Sequence, residues 1–179
     1  MYNYNNFEVE KTIADETALQ SRLTIDQMIR EPIRFLKPRQ PPVCVERGEN
    51  MKTALGKMDA ERVGHVLITD LGRLAGIITE RDIVRRVVGR SEPLEEMIVE
   101  KFMTPDPECL NINDPISFAL NLMAVGEFRH IPLVDELHRP VGSLSVRRFL
   151  RWLGESLGPS IINLPPNASK PFPTGREGA

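Results

Sequence analysis

Residues 42–71 overlay residues 107–136 at a constant offset of 65, and this duplication limits what the chain can fold into. PVCVERGENMKTALGKMDAERVGHVLITDL meets PECLNINDPISFALNLMAVGEFRHIPLVDE. Pro42/Pro107, Cys44/Cys109, Ala54/Ala119, Leu55/Leu120, Met58/Met123, His65/His130 and Asp70/Asp135 coincide, and most remaining pairs keep apolar character. One inserted residue later, Gly76-Ile77-Ile78-Thr79 meets Gly142-Ser143-Leu144-Ser145. The period exceeds the roughly 20–50 residues of stacked solenoid repeats, so each copy is a small lobe.

Both copies have the same internal order. A short alternating run (Val43–Val45; Cys109–Ile112) predicts a strand. A helix follows, with Met51, Leu55 and Met58 on one face in the first copy and Ile116, Ala119, Leu120 and Met123 in the second. Asp114-Pro115 supplies the second helix with an N-cap and a pre-set first residue. Apolar runs ending at Asp70 and Asp135 predict the next strand, and those at 74–78 and 141–144 another. Ser or Thr then opens a helix, around Ile83–Val87 and Arg147–Leu153. The expected fold is α/β: strand-helix-strand-strand-helix, twice, as a pseudo-twofold pair with packed sheets.

The composition is that of a globular protein, with 41% hydrophobic and 27% charged residues. A net charge of -2 gives no general attraction to nucleic acid or anionic membrane. No apolar run reaches the roughly 20 residues of a membrane span. Residues 1–11 lack the basic start and apolar stretch of a secretory signal. Two cysteines make no disulfide framework, so a cytoplasmic location is expected. Residues 1–23 read as an extension. Residues 158–179 contain five of the fifteen prolines and read as a flexible Pro-rich tail.

The motifs Gly76–Asp82, Lys101-Phe102-Met103-Thr104-Pro105 and Arg129–Asp135, set in a duplicated chain, resemble the CBS-domain family. The resemblance covers about 24–157, with 24–90 as the first domain and 91–157 as the second. Thr24–Arg30 aligns with Ile98–Thr104 at an offset near 74, which makes residues 33–41 extra in the first copy. Membership implies a disc-like module with two clefts for adenine nucleotides (AMP, ADP or ATP) or for S-adenosylmethionine or NAD. It also implies a regulatory, non-enzymatic role toward an unidentified protein partner, and homodimer formation through the CBS helices.

Carried over by that resemblance, Asp82 accepts from both ribose hydroxyls, beside Ile78, and Thr79 bonds a ribose oxygen or a phosphate. A carboxylate suits a cis-diol because it is acceptor-only with two oxygens. The same Thr79-Glu80-Arg81-Asp82 also reads as a capping box that starts a helix, and both readings stand together. In the second copy Ser145 and Arg148 hold these positions, and Arg148 cannot accept from a diol but can hold a phosphate. Glu108, Cys109, Phe128, Arg129 and His130 complete the Asp82 cleft in the resemblance. The bland alternatives are surface exposure for Arg129 and His130 and a buried small hydrophobe for Cys109. No metal-ligand spacing, nucleophile elbow or P-loop is present. A ligand-free scaffold that binds a protein partner is the competing function.

Overall fold

The computed structural model describes residues 26–157; the expected extensions at 1–23 and 158–179 lie outside the described residues. The first copy contains β1 (Cys44–Glu46), α1 (Met51–Ala60), β2 (His65–Asp70) and β3 (Arg73–Thr79). Its last helix, α2, is one α-turn at Glu80–Asp82 that widens into a π-type turn over Ile83–Val87. The second copy contains β4 (Thr104–Pro105), β5 (Leu110–Asn111), α3 (Ile116–Val125), β6 (His130–Val134), β7 (Pro140–Ser145) and α4 (Val146–Leu157). The fold is mixed α/β, as the duplication predicts.

Two sheets form, ordered β1-β2-β3-β4 and β5-β6-β7. In each, the first strand is parallel to the second across a helix, and the second pairs antiparallel with the third. The duplication holds down to register. Both antiparallel pairs slip at Ile68/Thr69 and at Leu133/Val134, equivalent positions at offset 65. Along β2, Val66 and Ile68 enter the first lobe's core while Leu67 turns to the opposite face. The period-2 geometry of a strand therefore feeds two cores at once. Leu67 meets Leu74, Ile77 and Val134 in an apolar layer that includes residues of both copies.

The segment expected to be extra has a defined place, and this corrects the reading of residues 33–41. Ile33 and Leu36, in a 3₁₀ turn over Ile33–Leu36, are fully buried in the second lobe's core beside Ile116, Ile131, Leu133 and Leu144. Arg39 exchanges backbone hydrogen bonds of 3.0 and 3.1 Å with Ser143 of β7. The stretch before β5 does the reciprocal thing. Val99 and Phe102 enter the first lobe's core, and Thr104 and Pro105 pair with Ile77 and Gly76. Ile33/Val99 and Leu36/Phe102 thus correspond at offset 66, and each lead-in segment packs on the other copy. The offset near 74 hid this correspondence.

These segments also finish the helices. The first N–H groups of a helix have no partner within it. Met51 N donates to Met97 O at 2.8 Å, and Ile116 and Ser117 donate to Glu31 and Ile29 carbonyls at 2.8 Å. Asn50 caps α1 by accepting from Thr53 N at 3.0 Å. Asp114 does not cap α3, contrary to expectation: α3 begins at Ile116, and the Asp114 carboxylate accepts from Asn111 N at 2.7 Å. Among the described residues no helix is long and apolar enough to cross a membrane.

The exchanged strands pass so close that only glycine fits beside them. A Cβ on Gly142 would lie 2.9 Å from the Arg39 carbonyl oxygen, and one on Gly76 would lie 3.0 Å from that of Thr104. Gly142→Ala is expected to lower unfolding free energy in urea by about 1–3 kcal/mol, the usual cost of forcing a methyl into packed structure. Gly56→Ala is the control, because nothing lies within 4 Å of the added methyl in mid-α1. It should hold stability or raise it by up to ~1 kcal/mol.

Candidate functional site

Each copy places its candidate residues where a strand turns into a helix. At the β3–α2 junction, Thr79 Oγ1 donates to Asp82 Oδ2 at 2.6 Å and Thr79 N donates to the same oxygen at 2.9 Å. Asp82 N returns a 3.4 Å bond to Thr79 Oγ1, which completes the capping box. The other carboxylate oxygen lies 3.4 Å from Thr104 Oγ1 and 3.5 Å from the Arg86 guanidinium. Only 13% of the Asp82 side chain is exposed. At the β7–α4 junction, Ser145 Oγ accepts from Arg148 N at 3.2 Å. The Arg148 side chain turns away from a cap role and donates Nε–H to the Leu36 carbonyl at 2.5 Å.

Arg86 and Thr104 take part in the Asp82 network without being singled out by the sequence. Arg86 also donates to the Phe102 and Met103 carbonyls at 2.9 and 2.7 Å. The first copy thus uses Arg86, and the second Arg148, to hold the carbonyls that end the exchanged segment. The sequence signal was the helical run Arg81, Arg85, Arg86, Arg90, whose spacing did not single out the member that turns inward.

His65 pairs with Thr79 in one sheet and His130 with Ser145 in the other. The two imidazoles stack between the sheets, with centroids 4.3 Å apart and planes at 29°. Around this stack opens a cleft of about 1030 Å³, lined by His65, His130, Ser145 and Arg148 together with Lys37–Gln40, Arg62, Arg147 and Arg151. Glu80 and Ile83 reach it, whereas Thr79 and Asp82 do not line it. His130, Ser145 and Arg148 are thus brought together as one group, and Thr79 and Asp82 as another. Lys37 and Arg39 were missed because residues 33–41 read as surplus, and Arg62, in the turn after α1, carried no motif.

The other candidates are dispersed. The Ile78 side chain is buried in the first core. Glu108 and Arg129 are exposed, and the Arg129 carbonyl accepts from Val146 N at 3.0 Å. Phe128 is partly exposed and packs close to Gly126. Cys109 and Cys44 lie against the apolar layer between the sheets. Burial pushes both thiols above their usual range, and Asp106, Glu108 and Asp114 add to this at Cys109. Neutral thiols in such a setting are poor nucleophiles. Among the described residues no group of three or more His, Cys, Asp or Glu is placed to hold a metal.

Burial, then the neighbouring His130 and Arg39, push His65 down to about 3. Burial also lowers His130, against an opposing pull from Glu80 and with a further push from Arg129. An unfolded imidazole takes up a proton near pH 6.5, as the folded His65 does not. Between about pH 6.5 and 3 the unfolded state therefore holds more protons, and stability falls as pH falls. His65→Phe, which keeps an aromatic plane on His130, should flatten that loss, measured as urea midpoints at pH 7 and pH 4.5. A loss equal to that of wild type would show that His65 does not carry it.

The comparisons fit this geometry. A family model described as CBS domain matches the chain twice, over residues 29–89 and 99–155. The chain is 38% identical over 124 residues to CBS domain-containing protein CBSCBSPB2 of Arabidopsis thaliana, covering 63% of this chain and 23% of that protein. It thus spans under a quarter of that plant relative's length. The CBS domain pair of protein MJ0100, solved with 5′-methylthioadenosine and S-adenosyl-L-methionine, superposes with a TM-score of 0.62 at 22% identity, over 72% of this chain and 98% of that one. CBSX2, solved in complex with AMP, superposes with a TM-score of 0.59 at 20% identity, over 68% and 94%. At these identities the two structures speak for the fold. With two matched domains exchanging their lead-in segments, the chain belongs to the CBS-domain family.

Proposed function

We propose that the chain is a regulatory module that binds an adenine nucleotide in its CBS pair and reports occupancy to a partner protein. The observation that carries this reading is the Asp82 carboxylate, held at the start of α2 with Thr79 on one oxygen and the exchanged Thr104 beside the other. AMP, 5′-methylthioadenosine and S-adenosylmethionine, found in related folds, share an adenosine whose ribose presents a cis-diol. The Asp82 oxygen near Thr104 has only long contacts, which leaves it room to accept from that diol. AMP, ADP and ATP are the first ligands to test, with NAD and S-adenosylmethionine as relatives. The role is regulatory and not enzymatic.

The capping box also favours a second reading. Two short hydrogen bonds already converge on Asp82 Oδ2, so the residue has a complete structural job without any ligand. In that reading the pair is a scaffold that binds its partner constitutively.

The two readings separate in one thermal-shift series. Asp82→Ala should lower the ligand-free stability by about 1 kcal/mol through loss of the cap. AMP at about 100 times its Kd adds ~2.7 kcal/mol to wild type, and this increment should vanish in Asp82→Ala. An intact increment would confine Asp82 to capping. If AMP, ADP, ATP, NAD and S-adenosylmethionine all leave wild type unshifted, the scaffold reading replaces the sensor.

The same module is proposed to form a symmetric homodimer through α2 and α4. Val84 and Val88 on and after α2 are 67% and 68% exposed, and Leu150 on α4 is 59% exposed. Exposed apolar patches of this kind mark interfaces, and a homodimer covers them with a twofold axis. Light scattering should give twice the 20.2 kDa chain mass at micromolar concentration. A mass of one chain would overturn the dimer.

A further inference from the structure

The large cleft is built from positive charge. Lys37 and Arg39 come from the exchanged segment, Arg62 from the turn after α1, and Arg147, Arg148 and Arg151 from α4. Two carboxylates, Asp59 and Glu80, also line it, and Glu61 neutralises Arg39 from outside the lining, which leaves an excess of three positive charges. Arg39 is paired with Glu61 outside that lining at 2.5 Å, and Arg148 is spent on the Leu36 carbonyl. Among the described residues Lys37, Arg62, Arg147 and Arg151 form no ion pair. Their side chains are exposed around the cleft.

The duplication supplies an internal control. Arg62 corresponds to Glu127, and both have positive φ, 51° and 55°. Lys37 corresponds to Met103 and Arg148 to Asp82 at offset 66. Arg147 and Arg151 have arginine counterparts, Arg81 and Arg85, at the same offset, so the charge peculiar to this junction comes from Lys37, Arg62 and Arg148, which the other copy answers with Met103, Glu127 and Asp82. Arg148 replaces the very acceptor that a ribose diol needs, since a guanidinium donates and never accepts. Deeper in the same cleft, His65 is 6% exposed and its Nδ1 has no hydrogen-bond partner among the described residues. Buried polar atoms are nearly always hydrogen-bonded, so this nitrogen in the cleft wall offers a site for a polar partner.

We infer that this cleft binds a chain of linked phosphates and grips it through Arg62, Arg147, Arg151 and Lys37, with no hold on a ribose. A single phosphate group carries about -1.5 to -2 charge at neutral pH and covers only part of the excess. Two or three linked phosphates match it, and a cleft of about 1030 Å³ accommodates them. Arginines suit the task because their forked donors meet phosphate oxygens in pairs. Phosphate chains occur free and as the tail of a nucleotide, and both present the same anion here. The inference does not rest on Asp82.

The test uses the full chain with inorganic tripolyphosphate, adenosine and ATP, followed by calorimetry and thermal shift. Tripolyphosphate should bind wild type, raise its Tm, and weaken as salt rises, because exposed charges are screened. Asp82→Ala should bind it equally well. Arg147→Ala with Arg151→Ala removes two exposed side chains and should weaken it on the order of tenfold or more. Arg62→Glu, which copies the charge at Glu127, provides a second variant with the same expected direction. In the Asp82→Ala background ATP should bind no tighter than tripolyphosphate, and adenosine should give no shift. No binding of tripolyphosphate to wild type, or unchanged binding in both arginine variants, overturns the inference. ATP binding more than about tenfold tighter than tripolyphosphate in Asp82→Ala would reveal a nucleoside grip and overturn the phosphate-only site. Loss of AMP binding in Asp82→Ala bears on the sensor reading alone.

Discussion

A helix cannot start inside a protein unless something accepts its first N–H groups, and here the acceptors come from the neighbouring lead-in segment. Met97 O serves α1, and Glu31 and Ile29 carbonyls serve α3. The same segments bring Ile33 and Leu36, or Val99 and Phe102, into a core that is otherwise incomplete. Hydrogen bonding and burial therefore act through one stretch of chain. Its position then dictates the rest: the edge of each sheet, the glycines at 76 and 142, and the carbonyls that Arg86 and Arg148 hold.

The sites grow from that arrangement. Because the exchanged strand ends beside the strand-to-helix junction, Thr104 reaches Asp82 in one copy and Lys37 and Arg39 border Arg148 in the other. Duplication gives the two junctions equivalent strand pairing, and side chains make them chemically unlike. One junction carries a nearly buried carboxylate inside a capping box; the other is a basic cleft with an unpaired imidazole nitrogen in its wall. The stacked His65 and His130 form a boundary that both junctions touch through strand pairing.

The repeat, the strand order and the capping box were legible because they depend on local pattern. The apolar run of β2 ending at Asp70, the Gly76/Gly142 match and Thr79-x-x-Asp82 all appear in short windows of sequence. The exchange of segments was not legible, since it concerns partners far apart along the chain, such as Arg39 with Ser143. Ile33 and Leu36 looked like apolar residues of an insertion, and their burial depends on a lobe some eighty residues away. Asp114-Pro115 misled for a related reason: its local cap signal was strong, but distant carbonyls had already taken the helix's first donors. The basic cleft was obscured with the same segment, because Lys37 and Arg39 of its cationic rim belong to it.

The reciprocal lead-in segments limit how the chain can be divided. A single copy standing alone would contain a segment with no lobe to enter and a lobe with no segment to complete it. Each lobe here resolves this by taking its missing segment from the other, Ile33 and Leu36 in one direction and Val99 and Phe102 in the other. Cutting the present chain at residue 90 would not yield two domains. It would yield two interdependent subunits, each carrying a piece of the other's core.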